Sequence, residues 1–491
     1  MNLLLSAVLA ATLHLIPQPA VVVPQKGVCR HPDAVSVRYS PALQAQAYIL
    51  DVSRKGIAIT AGSEAGAFYA RQTLAQLDGT ADKPLTGLPG DPSAAARIPC
   101  VHIEDAPAFD YRAMMLDCSR HFWTVEEIKR VLDLLSAHKI NTFHWHLTDD
   151  QGWRIEIKKY PELTTVGNYR PYTMSWPGHV PDGWIPDGIP VDGFYTQDQA
   201  REIIAYAAER HITVIPEIEI PGHSQAALAT YPWLGCRGEG YEVACKWMIS
   251  KLVYCPGKES TFEFLQGVLD EIIDLFPAPY IHIGGDECKK DEWKACPNCQ
   301  QRIAAEGLAD EKALQSYTIR RIEQYVRAKG KRIIGWDEIA EGGLSKTAVV
   351  MSRFGPASVG KCIDNGNKVI LCQGKYCYFD YYQWPDHSKE PRAHSGGDGN
   401  LNVEVAYSFD PKSLYSRAQM ENVMGVECCL WTEYVPEFGH LQYMLVPRID
   451  AFSEVAWSLA PKDFPAFRER LQTQARRYDA AGIRYARHYI D

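Results

Sequence analysis

The chain has 491 residues, 46% of them hydrophobic and 23% charged, which is more than one typical domain and enough for a sizeable core. Its formal charge is −9, from 51 basic and 60 acidic residues, and no basic stripe appears, so neither nucleic acid nor an anionic membrane is an expected partner. Aromatics are abundant, 12 Trp and 26 Tyr, many beside acidic residues in loop-like segments. That excess fits a sugar-binding surface and a large aromatic core equally well.

In chain order, residues 1–16 are apolar and uncharged, too short to span a bilayer, and lead into Pro-Gln-Pro-Ala. The pattern predicts a secretory signal peptide over residues 1–20, and with it a secreted or periplasmic protein. No later stretch reads as a membrane span. The 14 cysteines are scattered and do not decide the compartment. Residues 27–107 read as a small α/β domain, with strands near 47–52 and 56–60 and a helix over 65–77. A Gly/Pro-rich linker at 80–92 follows, and no catalytic constellation is visible in this part.

From residue 108 to the C-terminus, short apolar runs alternate with amphipathic segments. Expected strands are 113–117, 142–146, 213–218, 280–283, 332–336, 348–352, 368–371 and 423–430, with helices at 125–138, 197–210, 261–275 and 313–329. Eight strands with intervening helices predict a (β/α)8 TIM barrel preceded by the small α/β domain, a doubly wound sheet being the alternative. The stretch 160–194, rich in Pro, Gly, Trp and Tyr, reads as a functional loop. The segment from Phe464 carries an Arg-rich helical pattern that completes the barrel or covers it.

Polar and aromatic residues gather where these strands end, the face that carries chemistry in such barrels. Asp117 and Arg120 follow the first strand; His146, Asp149 and Asp150 the second; Glu217, Glu219 and His223 the third. Asp286 and Glu287 close the fourth, Trp336-Asp-Glu338 the fifth, Tyr378 and Asp380 the seventh, Trp431-Thr-Glu433 the eighth. Neighbouring residues of a strand point to opposite faces, so Asp286 and Glu287 serve one pocket only where the strand ends, and Gly284-Gly285 supply the freedom to turn there. Adjacent carboxyls in a partly dry pocket repel, so one tends to keep its proton. A protonated acid beside an anion suits glycosidic cleavage, although a solvated turn explains the four-residue string alone as well.

Five segments carry a resemblance: Leu116-Asp-Cys-Ser-Arg-His-Phe122, Phe143-His-Trp-His-Leu-Thr-Asp-Asp-Gln-Gly-Trp-Arg154, Pro216-Glu-Ile-Glu-Ile-Pro-Gly-His223, His282-Ile-Gly-Gly-Asp-Glu287 and Cys429-Leu-Trp-Thr-Glu433. In this order they resemble glycoside hydrolase family 20, from about residue 27 to the C-terminus. The resemblance implies an exo-acting β-N-acetylhexosaminidase that acts on terminal β-linked N-acetylglucosamine or N-acetylgalactosamine of an oligosaccharide or glycoconjugate, without a cofactor or metal. It implies Glu287 as acid and base, and Asp286 orienting the substrate's 2-acetamido group, which supplies the nucleophile. It further implies Arg120, Asp380 and Glu433 on sugar hydroxyls, Asp149 and His223 as a relay behind Glu287, Tyr378 on the acetamido carbonyl, and Trp336 and Trp431 as pocket walls. Members usually carry another Trp in a Ser-Trp pair after the sixth strand. Arg353 stands there in this chain, with Phe354 placed to swing in instead, and the expected effect is on the 2-substituent or on a charged substrate group.

Rival expectations remain at this level. His144, His146 and Asp149 match a barrel metallohydrolase, and Cys296-Pro-Asn-Cys299 with Cys288 a zinc half-site, for which structural thiols or a disulfide are the favoured explanation. A retaining glycosidase with Glu433 as protein nucleophile and a non-catalytic carbohydrate-binding barrel are the functional alternatives.

Overall fold

The computed structural model describes residues 13–78, 85–175, 185–395 and 399–490. Residues 1–12 of the expected leader, 80–84 of the expected linker and 176–184 of the expected loop lie outside them. The small domain is a five-stranded sheet: β1 Val21–Val28, β2 Val35–Tyr39, β3 Tyr48–Ser53, β4 Gly56–Ala61 and β5 Pro99–Asp105, in the order β1-β5-β3-β4-β2. The sheet therefore reaches upstream of residue 27, and β1, β2 and β5 join the two expected strands. Helix α1, Glu64–Leu77, starts where the Ser63 side chain accepts from the Ala65 N–H, and lays Ala67, Phe68, Leu74 and Leu77 on the sheet. Upstream, Leu15 and Ile16 are buried, and the Ile16 backbone exchanges two hydrogen bonds with the Gln76 side chain at 2.9 and 2.7 Å.

The second unit is a closed barrel of eight parallel strands in sequence order, which excludes the doubly wound alternative. Its strands are β6 Tyr111–Asp117, β7 Thr142–His146, β8 Thr213–Glu217, β9 Tyr280–His282, β10 Arg332–Trp336, β11 Val349–Ser352, β12 Val369–Leu371 and β13 Val423–Leu430. The β13–β6 pair closes the ring, Gly425 opposite Tyr111 through Leu430 opposite Leu116. Helices cover the outside: α2 Val125–Ala137, α3 Gln197–Ala208, α4 Glu259–Leu275 and α5 Glu311–Ala328 stand where periodicity placed them. Capping boxes start two of them, Thr124 with Glu127 and Thr196 with Gln199. Helix α6, Pro356–Asp364, is only nine residues long and was not foreseen.

The C-terminal helix α7, Phe464–Ala481, does not complete the barrel. It packs between the two units: Tyr478 donates to Asp450 at 2.6 Å, and Arg477 donates to the Gln76 carbonyl at 2.9 Å. The main polar joint is Asp105 at the end of β5. It receives Tyr48 Oη at 2.6 Å, Trp457 Nε1 at 2.9 Å and Lys139 Nζ at 3.0 Å, all buried.

Candidate active site

The C-terminal ends of the barrel strands surround a pocket of about 380 Å³. The fourth strand turns away there, with Gly284 and Gly285 at φ 62° and 98°. A Cβ at Gly284 would run into the Glu219 carboxylate, so glycine is what lets these two segments meet. The turn presents Asp286 and Glu287 together. Glu287 itself takes φ 48°, and across the pocket His223 takes φ 46°, a left-handed backbone uncommon for either residue type.

One chain of charges runs through the site. Arg120 Nη2 lies 2.8 Å from Asp149 Oδ2, His223 Nδ1 is 3.2 Å from Asp149 Oδ1, and His223 Nε2 is 3.6 Å from Glu287 Oε2. Burial opposes charge on His223, but Asp149 and its hydrogen bond outweigh that and hold the imidazole protonated well above its usual range. Burial likewise opposes charge on Asp149, yet Arg120 and His223 draw its carboxyl well below the ordinary value. For Glu287, burial is outweighed by the His223 hydrogen bond and by the positive charges of His223, Arg353 and Arg120, which bring it down to about 2. Asp286 moves the other way, pushed up chiefly by burial and by the charges of Glu287 and Glu217. Within the adjacent pair the two carboxyls are therefore pushed apart, Asp286 upward and Glu287 downward. Sequence adjacency shows the repulsion between the two but not the cations that decide which of them is lowered.

Arg353 does reach the pocket. Its guanidinium lies 2.6 Å from Glu338, 3.3 Å from Glu287 and 3.8 Å from Asp286, while Phe354 points outward, 62% exposed. Phe354 therefore does not replace the missing indole. Arg353 lines the pocket in its place, against Glu338 and the carboxyl pair, with its Nε buried and without a hydrogen-bond partner among the described residues.

The remaining expected residues assemble with one exception. Tyr378, Asp380, Trp431 and Glu433 line the pocket, and the Arg120 guanidinium sits 5.1 Å over the Trp431 ring. Trp336 does not line it. Fully buried, it packs behind Trp431 at 5.8 Å between ring centres and donates from Nε1 to Glu217 at 3.0 Å. Asp286 Oδ1, Tyr378 Oη and Asp380 Oδ1 are buried without a hydrogen-bond partner among the described residues.

The histidines of the metallohydrolase expectation lie beneath this floor, gathered round Glu217. His144 Nδ1 meets Glu427 at 2.7 Å with Nε2 3.1 Å from Glu217, His146 bonds Glu217 and, at 3.0 Å, Asp149, and His282 Nδ1 stands 2.6 Å from Glu217. Carboxylates already engage the ring nitrogens of His144 and His146, so the pair braces the strand ends.

Gln151, Glu219, the segment Trp247-Met-Ile249, Tyr381, His394 and Tyr434 also line the pocket. Glu219 was visible at its strand end. Gln151, Tyr381 and Tyr434 stand beside Asp150, Asp380 and Glu433, whereas Trp247-Met-Ile249 and His394 come from long loops with no periodicity to place them.

A carboxyl pair, a buried cation chain and an aromatic wall at the C-terminal mouth of an eight-stranded barrel define the class: a (β/α)8 barrel of glycoside-hydrolase type. Residues 109–460 match the model for the glycosyl hydrolase family 20 catalytic domain, and residues 5–106 that for its domain 2. The chain belongs to glycosyl hydrolase family 20. It is 44% identical over 451 residues to a β-hexosaminidase of Porphyromonas gingivalis, covering 90% of this chain and 55% of that one. To a β-hexosaminidase of Vibrio furnissii it is 38% identical, covering 85% of this chain and 66% of that one. The chain thus spans less than two thirds of the length of these two relatives. The exo β-N-acetylglucosaminidase of Vibrio harveyi, solved in complex with N-acetylglucosamine, superposes with a TM-score of 0.83 at 31% identity, over 96% of this chain and 78% of that one.

Proposed function

We propose that this chain is an exo-acting β-N-acetylhexosaminidase releasing terminal non-reducing N-acetylglucosamine or N-acetylgalactosamine from glycans or chito-oligosaccharides. The observation that carries the proposal is the pair of buried, unpartnered atoms Asp286 Oδ1 and Tyr378 Oη in a pocket shared with Glu287 and Trp431. A 2-acetamido group offers one N–H and one carbonyl oxygen, and so calls for one acceptor and one donor. Asp286 and Tyr378 are that acceptor and donor. Trp431 gives the methyl group and the sugar C–H surface a flat apolar face, with Trp336 supporting it from behind. Arg120, Asp380 and Glu433 take the outer hydroxyls.

In the reaction, the Asp286 carboxylate accepts the amide N–H and aims the carbonyl oxygen at the anomeric carbon. That oxygen bonds to the carbon as the glycosidic C–O bond breaks, and the Glu287 proton passes to the leaving oxygen. The Glu287 carboxylate then takes a proton from water, whose oxygen bonds to the anomeric carbon and reopens the bicyclic intermediate. Two displacements retain the configuration. Glu287 needs its proton only once substrate is bound. A glycan covering the carboxylate strips it of water and raises its proton affinity, and the neighbouring His223 imidazolium is the proton source.

The test is hydrolysis of paired nitrophenyl glycosides with and without the N-acetyl group. Wild type is expected to cleave only the acetamido sugar, and Glu287→Gln to lose about 10²–10⁴ in kcat. Cleavage of the plain glucoside would transfer the nucleophile role to Glu433, and an inactive wild type would leave a binding barrel.

Export through an N-terminal leader is part of the same proposal. The burial of Leu15 and Ile16 and the Ile16–Gln76 bonds support cleavage upstream of Leu15 rather than at residue 20. N-terminal sequencing of chain recovered outside the cell tests the position.

A further inference from the structure

Away from the pocket, four cysteines from two distant stretches of chain converge. An antiparallel bridge between Gly235 and Tyr254 sets Cys236 beside Cys255, and the Cys255 N–H donates to the Leu234 carbonyl at 2.9 Å. Cys296 and Cys299, spaced as Cys-x-x-Cys, sit at the start of the helix Pro297–Ala305. The backbones of the two stretches touch, since a Cβ at Gly257 would collide with the backbone of Asn298.

The sulfurs are nearly equidistant. Cys255 Sγ lies 3.5 Å from Cys299 and 3.7 Å from Cys296, and Cys236 Sγ lies 3.9 Å from Cys299. All four sulfurs fall within 4.8 Å of one another. A tetrahedral zinc with sulfur ligands at about 2.3 Å has sulfur–sulfur edges of about 3.8 Å. Two disulfides would instead bring two pairs to about 2 Å and leave the other separations unequal. Cys255, Cys296 and Cys299 are buried with Val253, Trp293 and Leu314, a dry shell suited to thiolates on a metal, while Cys236 opens onto a surface hollow that gives an ion access. Cys288 shares the shell but is not one of the four.

We propose that Cys236, Cys255, Cys296 and Cys299 form a structural zinc site. Binding displaces the thiol protons and closes the coordination sphere with protein ligands alone, so the ion plays no part in hydrolysis. Its position gives it a purpose: it ties the loop carrying Trp247-Met-Ile249 to the segment that follows Asp286-Glu287, and so fixes the pocket wall against the carboxyl pair.

The full chain, purified without chelator both from a reducing cytosol and from the exported fraction, is expected to hold about one zinc per chain by elemental analysis. Titration with a mercurial is expected to release that zinc in step with four thiols. Cys296→Ser/Cys299→Ser should lose the metal and melt at lower temperature, whereas Cys362→Ser, outside the quartet, should keep both. Wild type free of metal, with Cys236–Cys255 or Cys296–Cys299 disulfides in non-reducing peptide maps, would overturn the proposal. Stoichiometric iron in place of zinc would overturn it equally, and neither result depends on the variants folding.

Discussion

His223 and Glu287 face each other across the pocket, 3.6 Å between Nε2 and Oε2, each on a left-handed backbone. Neither conformation is cheap for a residue with a Cβ, and together they aim an imidazolium, anchored on Asp149, at one carboxylate. The pairing makes His223 the group that sets the proton affinity of Glu287.

Replacing His223 with Asn removes the cation that lowers Glu287 most, so the Glu287 carboxyl should rise from about 2 towards its usual value. With the proton source also gone, kcat is expected to fall on the order of 10²-fold with KM little changed. Steady-state kinetics across pH check this; a fall confined to KM would make His223 a binding residue only.

Arg353 contacts three carboxylates, and its loss should act through them. In Arg353→Met the Glu287 carboxyl should rise, moving the limb of kcat/KM that Glu287 sets to higher pH. The ratio of rates on sulfated and plain N-acetylglucosaminides should stay as in wild type, because the guanidinium is held by Glu338 and the carboxyl pair. A changed ratio would restore a direct role in substrate selection.

Glu338 is raised from 4.5 to about 7 by burial and by the charge of Asp286, against the pull of Arg353. A carboxyl held above its unfolded value stabilises the fold below that value, and the contribution disappears as pH climbs through the folded one. The melting temperature of wild type relative to Glu338→Gln should therefore fall between pH 4.5 and about 7. Parallel pH profiles of the two proteins would show that Glu338 is not raised.

Asp105 holds Lys139 in a fully buried pair at 3.0 Å, at the joint of the two units. Asp105→Ala leaves an uncompensated buried ammonium and also removes the acceptor of Tyr48 and Trp457. A loss of about 3–5 kcal/mol in denaturant unfolding is expected. A loss under about 1 kcal/mol would mean that water reaches Lys139.

Much of this molecule is local in origin, which is why it could be read from the chain. Barrel strands buried on both sides appear as short apolar runs such as Val349–Ser352, and their helices as amphipathic repeats capped by Thr124 and Thr196. The chemistry sits where those runs stop, so Asp149, His223, Asp286, Glu287 and Trp431 stood out by position. The small domain was half legible: Val21–Val28 is largely exposed and irregular, while Val35–Tyr39 alternates apolar and polar residues over only five positions.

Sequence alone determined the element order, the barrel and the residue types at its mouth, because periodicity, capping and strand termini are encoded within a few residues. Tertiary structure alone decided what depends on through-space distance. It put Trp336 behind Trp431, turned Phe354 outward and committed Arg353 to three carboxylates. It gave the upward push to Asp286 rather than Glu287, since charges act through space whatever their separation along the chain. Cys296 and Cys299 looked like half a site for the same reason: their partners, Cys236 and Cys255, lie 60 and 41 residues upstream and meet them only when two barrel loops pack.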